Sequence, residues 1–289
     1  MNDKVAIVTG ASSGIGEATA RRLHEMGYTV YAAARRVDRM APLAEAGVRT
    51  VGVDVTDEAS LVGFVDRVIA ESGRIDVLVN NAGYGSYGAV EEVPLDAARR
   101  QFDVNVFGLA RLSQLVLPHM RRQRAGRIIN ISSIGGKIYE PLGGWYHATK
   151  FAVEGLSDSM RLELAPLGIQ VVVIEPGAIA TEWSGIAGQH LLAVSGQGAY
   201  AEQANRMATF LTAEPEGQAS PPSVIANAVA KAATARRART RYAVGRGAKP
   251  ILAARRILPD RAFDRLMLST LNTLARVAAR QQRLAGQRA

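Results

Sequence analysis

The 289-residue sequence contains no cysteine, which excludes disulfide bonds, thiolate metal sites and cysteine nucleophiles. Histidine is also scarce, and the four histidines are spread along the chain without the spacing of metal ligands. No run reaches the roughly 18 apolar residues of a membrane span. The opening residues, MNDKVAIVTG, enter a predicted strand without the long apolar segment of a signal peptide. We therefore expect no metal site and a protein of a reducing, cytoplasmic compartment.

Acidic residues are nearly absent from the last part of the chain. From Lys231 to Ala289 there are 15 Lys or Arg residues against only Asp260 and Asp264, whereas the first 230 residues carry a balance of −4. The net charge of +9 therefore belongs to the last segment and says little about the chemistry of the rest. No nucleic-acid recognition motif accompanies this segment, so we expect no nucleic-acid partner.

Short apolar, β-branched runs alternate with longer amphipathic stretches through most of the chain. Seven runs are predicted as strands: VAIVT (5–9), TVYAAA (29–34), RTVGVDV (49–55), DVLVNN (76–81), RIINIS (127–132), IQVVVIE (169–175) and RYAVG (241–245). Strands this apolar, separated by helices, indicate a parallel sheet that is covered on both faces. Since parallel crossovers are nearly always right-handed, we predict an α/β fold with a doubly wound (Rossmann) sheet of about seven strands.

Two segments depart from this alternation. Residues 181–222 are rich in glycine, contain a predicted short helix near 200–211 and follow the sixth strand, where a lid over a ligand is expected. Residues 249–289 place apolar side chains at helical spacing among arginines. We predict one Rossmann domain over residues 1–248 and a basic amphipathic helical extension over 249–289. The extension is expected to pack on the domain or a second subunit, and contact with an anionic membrane surface is the alternative.

A glycine-rich turn, TGASSGIG, follows the first predicted strand and precedes a predicted helix. It places Gly10, Gly14 and Gly16 before the helix N-terminus, where backbone N–H groups and the helix dipole favour an anion. This context is typical of dinucleotide binding, although enzymes that use S-adenosylmethionine share it.

The end of the second predicted strand bears on which dinucleotide binds. An acidic residue there would bind the ribose 2′-hydroxyl of NAD, whereas an arginine would accommodate the 2′-phosphate of NADP. The sequence reads Ala34-Arg35-Arg36, with no carboxylate, and Arg35 can pair with a phosphate through its guanidinium. The sequence therefore favours NADP, with NAD as the less favoured cofactor.

The stretch WYHATK places Tyr146 and Lys150 four positions apart, on one face of a predicted helix. Several further stretches accompany it in a fixed order: VDVTD (53–57), NNAG (80–83), FDVNVFG (102–108), INISSIGG (129–136) and PGAIAT (176–181). On these motifs, and on the glycine spacing, the chain resembles the short-chain dehydrogenase/reductase family. The resemblance runs from about Lys4 to Thr181 and continues more loosely to about Gly245.

The resemblance implies a catalytic set of Asn105, Ser133, Tyr146 and Lys150. In the family the Tyr exchanges a proton with the substrate oxygen, the Ser hydrogen-bonds that oxygen, and the Asn bends a helix and holds a water that links the Lys to solvent. The family spacing selects Ser133 over Ser132. The Lys holds the nicotinamide ribose and keeps the Tyr acidic. A unit charge about 4 Å from the phenol, at an effective dielectric of about 20, would favour the phenolate by roughly 4 kcal/mol, or about three pKa units.

The resemblance also implies a set of cofactor contacts. They are Gly10, Ser12, Ser13, Gly14, Ile15, Gly16, Arg35, Arg36, Asp54, Val55, Asn81, Gly83, Tyr146, Lys150, Pro176, Gly177, Ile179 and Thr181. Asp54 and Val55 match positions that contact the adenine, and Asn81 matches one at the adenosine ribose. Ile179 and Thr181 match positions at the nicotinamide carboxamide.

Aromatic and aliphatic side chains are expected around the substrate. They are Tyr84, Tyr87, Ile138, Tyr139, Leu142, Trp145, Trp183, Ile186, Leu191, Leu192, Met207 and Phe210. Such a lining favours a bulky apolar carbonyl compound or alcohol. His147 lies on another helical face than Tyr146 and is interpreted as a packing residue, and Glu175 as a strand-end side chain.

These observations predict an NADP(H)-dependent oxidoreductase that moves a hydride between nicotinamide and a carbonyl or secondary alcohol. Its partner is a small-molecule substrate, and the resemblance implies a homo-oligomer. The alternative is a non-catalytic dinucleotide sensor that engages a partner or a membrane surface through its basic C-terminal segment. The complete set of Asn105, Ser133, Tyr146 and Lys150 argues for chemistry, because a sensor has no need of it.

Overall fold

A seven-stranded, entirely parallel sheet lies at the centre of the fold. The computed structural model describes residues 4–212 and 219–286, with side chains up to residue 273. The strands are β1 (Val5–Thr9), β2 (Thr29–Ala34), β3 (Arg49–Gly52), β4 (Val77–Asn80), β5 (Gly126–Ile131), β6 (Ile169–Pro176) and β7 (Arg241–Val244). Their order is β3-β2-β1-β4-β5-β6-β7. The predicted doubly wound α/β sheet is therefore confirmed.

Helices cover both faces of the sheet. Within the described ranges they are α1 (Gly14–Glu25), α2 (Ala41–Glu45), α3 (Glu58–Ser72), α4 (Leu95–Phe102), α5 (Leu109–Gln123), α6 (Gly144–Leu164), α7 (Glu182–Ser195), α8 (Ala201–Thr212), α9 (Ser223–Thr234), α10 (Ala248–Ile257) and α11 (Asp260–Gly286). Leu23 of α1 and Val229 of α9 are fully buried in the core on one face. Phe64 of α3 and Leu112 of α5 are buried in the core on the other. Burial on both faces explains why the strands are apolar throughout rather than alternating.

The strand order reverses at β1, which pairs with β2 on one side and β4 on the other. In open parallel sheets, ligands bind at the carboxyl ends of the strands near this reversal. The glycine turn after β1, the NNAG segment after β4 and the serines after β5 all lie along that edge. The topology thus brings the predicted motifs to one place.

The third strand is shorter than the sequence pattern predicts. It ends at Gly52 rather than at Val55. The Asp54 carboxylate accepts hydrogen bonds from the backbone N–H (2.9 Å) and the hydroxyl (2.8 Å) of Thr56, which turns the chain before α3. A side chain that bonds its own backbone two residues on competes with the sheet ladder, and here it ends the strand.

The segment after β6 contains a helix that the sequence reading missed. The predicted helix near 200–211 is present as α8, but α7 (Glu182–Ser195) occupies the stretch expected to be irregular. Thr181 caps α7 through a bond from the Trp183 N–H (3.4 Å). A Cβ added to Gly188 would lie 2.8 Å from Thr212 Cγ2, so this glycine allows close packing of α7 on α8. Residues 213–218 of the segment lie outside the described residues.

The C-terminal helices pack on the same end of the molecule. Phe263 and Met267 of α11 are buried against Ile138 in the loop after β5. The Tyr139 hydroxyl donates to Asp264 Oδ1 at 2.9 Å. The expected packing of this segment on its own domain is therefore present in α11 as far as its side chains are described. In the described part of the chain, no helix combines the length and apolarity that crossing a membrane requires.

Candidate active site

The glycine turn forms an anion-binding cradle at the N-terminus of α1. Gly10 and Gly14 have positive φ angles of 64° and 57°, which favour glycine. A Cβ on Gly16 would lie only 2.2 Å from the Gly10 carbonyl oxygen, so no larger residue fits there. Ser13 at the N-cap is extended and makes no side-chain cap, which leaves the first N–H groups of the helix for a ligand. Ser12 and Ile15 lie on this turn, and the whole arrangement fits a dinucleotide phosphate.

Two exposed arginines stand at the end of β2. Arg36 donates to the Ser12 hydroxyl at 3.4 Å, which ties it to the glycine turn. Burial would raise the pKa of the Asp54 carboxyl. The two hydrogen bonds from Thr56 and the charge of Arg35 together outweigh burial, so the pKa of Asp54 is lowered. Arg35 therefore lies along the edge of the sheet, near the start of the turn that holds Asp54. Val55 follows on that turn and packs partly against the core.

Asn81 fastens the glycine turn to the end of β4. Its amide nitrogen donates to the carbonyl oxygens of Thr9 (2.9 Å) and Gly10 (3.2 Å), and its backbone N–H bonds the Thr9 hydroxyl (3.0 Å). The side-chain donors of Asn81 thus bind the protein's own backbone. The sequence predicted only a contact between Asn81 and the adenosine ribose. Gly83, two residues on, lies close to the Asn105 side chain and Lys150 Nζ.

The segment after β6 brings its predicted residues next to the glycine turn. Pro176 ends the strand, and the Gly177 N–H bonds the Val244 carbonyl oxygen at 2.8 Å. Ile179 is partly buried against the core that holds α1. A Cβ on Gly14 would lie 3.0 Å from Thr181 Cγ2, so Thr181 stands beside the turn. The structure therefore places the predicted residues of this segment at the same strand edge as the glycine cradle.

The end of β5 and the first turns of α6 bring Ser133, Tyr146 and Lys150 together. The Ser133 side chain lies near the Tyr146 phenol, where it partly offsets the rise in the phenol's pKa that burial causes, and its hydroxyl accepts a hydrogen bond from the Gly135 N–H at 3.0 Å. Lys150 Nζ is buried, donates to the Ile131 carbonyl oxygen at 3.0 Å, and lies 5.9 Å from the centroid of the Tyr146 ring. The neighbouring Ser132 hydroxyl is buried and has no hydrogen-bond partner among the described residues. Ser133, which the family spacing selects over Ser132, is therefore the serine that lies near the Tyr146 phenol.

Asn105 lies where the helical rod α4–α5 changes geometry. The residues between the two helices, Asp103–Gly108, form a π-helical turn at the position where the family resemblance implies a bend. The Asn105 amide nitrogen donates to the Tyr84 carbonyl oxygen (2.9 Å) and the Thr149 hydroxyl (3.0 Å), and its oxygen accepts from the Tyr84 N–H (3.0 Å). The side chain therefore joins the loop after β4 to α6 beside Lys150.

The charge state of the pair corrects one expectation. Burial raises the pKa of Tyr146 to about 12; the Ser133 hydrogen bond opposes this shift, and the negative charge of Glu140 adds to it. Burial lowers the pKa of Lys150 to about 8, partly offset by the charge of Glu154. Among the protein's own groups, burial of the phenol therefore outweighs the acidification that Lys150 was predicted to supply. Desolvation dominates, since the phenol is buried.

His147 has more partners than a packing residue. Its Nδ1–H donates to the Gly135 carbonyl oxygen (2.9 Å), and its Nε2 accepts from the Glu140 N–H (3.0 Å). Burial lowers its pKa, which keeps the ring neutral as these two bonds require. The imidazole thus holds the loop 135–140 in front of Tyr146. Its position within WYHATK is the only signal in the sequence for this role.

A second cluster of charges lies behind Lys150. Glu154, one turn along α6, is buried and pairs with Lys137 (3.1 Å) and Arg241 (2.9 Å). Arg241 also reaches Asp158 (2.7 Å) and Glu175 (3.4 Å). Burial raises the pKa of Glu175 to about 7, and the charge of Glu154 adds to this shift. The interpretation of Glu175 as an isolated strand-end side chain missed this cluster, because its members come from distant parts of the sequence.

Ten of the twelve predicted lining residues fall into three groups, and the other two, Tyr84 and Trp145, are half-buried. One group forms a single cluster with Tyr146: Tyr87, Leu142, Trp183, Leu191, Met207 and Phe210. Ile138 and Tyr139 instead pack against α11, whereas Ile186 and Leu192 on α7 are exposed. Within the first group the Trp183 ring centroid lies 5.1 Å from that of Tyr146. The phenol therefore faces an aromatic and aliphatic surface under α7 and α8.

Comparison with known proteins gives one family. The family model for short chain dehydrogenase matches residues 4–190. The uncharacterized oxidoreductase YusZ of Bacillus subtilis (strain 168) is 34% identical over 281 residues, which cover 94% of this chain and 99% of that protein. A 3-ketodihydrosphingosine reductase of Bacteroides thetaiotaomicron is 44% identical over 182 residues, which cover 63% of this chain and 66% of that protein.

Among solved structures, a metagenomic short-chain oxidoreductase in complex with NADP is similar in fold. It superposes with a TM-score of 0.67 at 28% sequence identity, over 84% of this chain and 97% of that one. The family match spans more than half of the chain, and YusZ matches almost all of it. The chain therefore belongs to the short-chain dehydrogenase family and is an NAD(P)-dependent oxidoreductase that acts on CH–OH groups.

Proposed function

We propose that the protein is an NADP(H)-dependent reductase of bulky apolar ketones, which also oxidises the corresponding secondary alcohols. The observation that carries this proposal is the meeting of Ser133, Tyr146 and Lys150 beneath an aromatic and aliphatic surface. We take residues 1–248 as the dehydrogenase domain, about 181–222 as a lid over the substrate, and 249–289 as a helical extension that covers the same end.

In this proposal, the protein's own groups are arranged for carbonyl reduction. Ser133 and Tyr146 donate hydrogen bonds to the carbonyl oxygen, where negative charge develops as the carbon is reduced. A bound reduced dinucleotide supplies the hydride. With its pKa at about 12, Tyr146 is protonated at neutral pH and can give its proton to that oxygen.

Alcohol oxidation needs the opposite charge state of the same phenol. Tyr146 must then accept the proton, which a pKa of about 12 disfavours. The positive charge of a bound oxidised nicotinamide favours the phenolate. Lys150 holds the nicotinamide ribose, and Asn105 keeps the loop after β4 beside Lys150 through its bonds to Tyr84 and Thr149.

The choice of NADP rests on Arg35 and Arg36 at the end of β2. No acidic side chain stands at these positions, and the Arg36 bond to Ser12 directs one guanidinium toward the phosphate cradle. The similar metagenomic enzyme is in complex with NADP, which supports the same choice. The proposed ketone substrate agrees with the name of the 3-ketodihydrosphingosine reductase.

The experiment that tests this function is a panel of aryl and alkyl ketones and secondary alcohols, followed by NADPH or NADP absorbance with NADH and NAD in parallel. We expect turnover of apolar ketones, faster with NADPH than with NADH at equal concentration. No turnover of any member with either cofactor, although dinucleotide binds, would favour a sensor instead.

A charge reversal isolates the cofactor assignment. Arg35→Asp should weaken NADPH binding at least tenfold, since a charge-assisted phosphate bond is replaced by repulsion, and should change NADH binding much less. The matched control is Arg99→Asp on α4, which makes the same charge change at an exposed ion pair with Asp96. Equal affinities of the Arg35 variant and the control for NADPH would remove Arg35 from the phosphate site.

A further inference from the structure

A carboxylate lies within the aromatic cluster around Tyr146. Glu140 Oε2 accepts a long hydrogen bond, 3.4 Å, from the Tyr87 hydroxyl. The Tyr87 ring centroid is 5.8 Å from that of Tyr146 and 5.9 Å from that of Trp183. Burial and, to a smaller degree, the charge of Glu140 raise the pKa of Tyr146, so Glu140 lies within electrostatic reach of the phenol. Glu140 therefore belongs to the surface that a substrate of Tyr146 would meet.

The backbone of Glu140 is held on both sides. Its N–H donates to His147 Nε2 at 3.0 Å, while His147 Nδ1 holds Gly135 at the other end of the loop. Its carbonyl oxygen accepts from the Gly143 N–H at 3.4 Å. The carboxylate is thus placed by the fold rather than by a loose loop, as a recognition group requires.

This carboxylate is poorly satisfied. Among the described residues its hydrogen-bond partner is Tyr87, and no ion pair reaches it. Burial raises its pKa to about 7, only partly opposed by the Tyr87 bond. Glu140 is half-buried, and a partly desolvated carboxylate without a cation is less well stabilised than a paired one, so a charged partner from outside the fold would be favourable here. A purely structural role therefore explains the residue type poorly.

We propose that Glu140 binds a protonated amine on the carbonyl substrate, so that the preferred substrates are amino ketones and amino alcohols with an apolar body. The proposal rests on the proposed function of the same site. An ammonium beside Glu140 would gain a charge-assisted hydrogen bond and would face the rings of Tyr87 and Trp183, which attract cations. The apolar body of the substrate would lie against Leu142 and Leu191.

Matched ketone pairs test the proposal. α-Aminoacetophenone and propiophenone differ by an ammonium in place of a methyl group, and β-aminopropiophenone and butyrophenone differ in the same way with one more carbon. In wild type we expect a higher kcat/KM for the amino ketone in at least one pair. Glu140→Gln should lower kcat/KM for that amino ketone roughly tenfold to a hundredfold, because a hydrogen bond to a charged group is lost. It should leave the neutral ketone within about threefold.

Two further variants complete the comparison. Glu140→Asp keeps the charge and should retain part of the amine preference. Glu163→Gln makes the same change as Glu140→Gln on the exposed end of α6 and should behave as wild type. Equal losses for the amino and neutral ketones in Glu140→Gln would assign a structural role to Glu140 and overturn the proposal. An unchanged preference for the amine would overturn it as well.

Binding provides a readout that does not depend on turnover. Phenethylamine carries the amine without a carbonyl, and calorimetry should find it bound at least tenfold more tightly by wild type than by Glu140→Gln. If Glu140→Gln does not fold, the binding of the two compounds to the wild-type protein tests the amine site. Wild type should bind phenethylamine but not propylbenzene, which has a methyl group in place of the ammonium. Equal binding in either comparison overturns the amine site. Absence of ketone reduction together with amine binding would instead reject the proposed function and keep the site.

Discussion

Two glutamates flank the Tyr146–Lys150 pair, and they are partnered in opposite ways. Glu154, behind Lys150, is buried and has ion pairs with Lys137 and Arg241. Glu140, in front of Tyr146, has one long hydrogen bond from a tyrosine and no cation among the described residues. A buried carboxylate whose partners lie in the fold supports the structure, whereas the half-buried Glu140, which has no cation beside it, is available to a ligand.

The largest expected difference between the two glutamates is in how much each substitution changes the stability of the protein. Glu154→Gln leaves Lys137 and Arg241 without their buried partner and should lower the free energy of unfolding by about 3 kcal/mol. Glu140→Gln removes an unpaired charge and should not lower it. Urea denaturation of both variants checks this. If Glu140→Gln proved as destabilising as Glu154→Gln, the contrast between the two sites would be lost.

A second, smaller effect concerns the dependence of stability on pH. Glu140 and Glu175 have pKa values raised to about 7 by burial, above the ordinary 4.5. Between these values the folded protein holds protons that the unfolded chain has released. The stability they contribute is therefore complete below pH 4.5 and lost as the pH rises to about 7.

Thermal unfolding between pH 4.5 and 7 measures this slope. Glu140→Gln and Glu175→Gln should each flatten it, because each removes one group that releases its proton in this range. The matched Glu163→Gln variant should keep the slope of wild type. A slope that is unchanged in both variants would contradict the account of these carboxyls.

The smallest effect lies in the pH dependence of the rate. The charge of Glu140 helps to raise the pKa of Tyr146, so Glu140→Gln should lower it. Alcohol oxidation needs the phenolate, and its rate should rise at a given alkaline pH by under about tenfold. Rate profiles with a neutral secondary alcohol check this. An unshifted profile would mean that the charge of Glu140 does not reach the phenol.

Much of the fold follows from local patterns. The seven strands are apolar runs between glycine or polar turns, and the glycine turn is recognisable because Gly10, Gly14 and Gly16 are each required by backbone geometry. The helix α7 was missed because Gly188 reads as a loop residue, although it serves close packing against Thr212. Such a contact is set by the tertiary structure and leaves no mark in the local sequence.

The site was predicted unevenly for the same reason. Ser133, Tyr146 and Lys150 stand in short motifs, so their positions could be expected from the sequence. Glu140 and Glu154 gain their meaning from neighbours that lie up to 87 residues away in the chain, as in the bond between Arg241 and Glu154. The balance of charge and burial at Tyr146 is likewise a property of the folded site, because the sequence shows the charge of Lys150 but not the burial that outweighs it.

Tyr146→Phe tests the central claim most directly, because it removes the proposed proton donor and keeps the ring. We expect ketone reduction, measured as transfer of deuterium from C4-deuterated NADPH to the carbonyl carbon, to fall at least a thousandfold, within the range of about 10² to 10⁴ for a lost proton-transfer group. NADPH affinity should remain within about threefold of wild type. The control is Tyr28→Phe, which removes the hydroxyl of the tyrosine directly before β2, at the amino ends of the strands. This variant should transfer deuterium like wild type. Deuterium transfer at the wild-type rate in Tyr146→Phe would contradict the account.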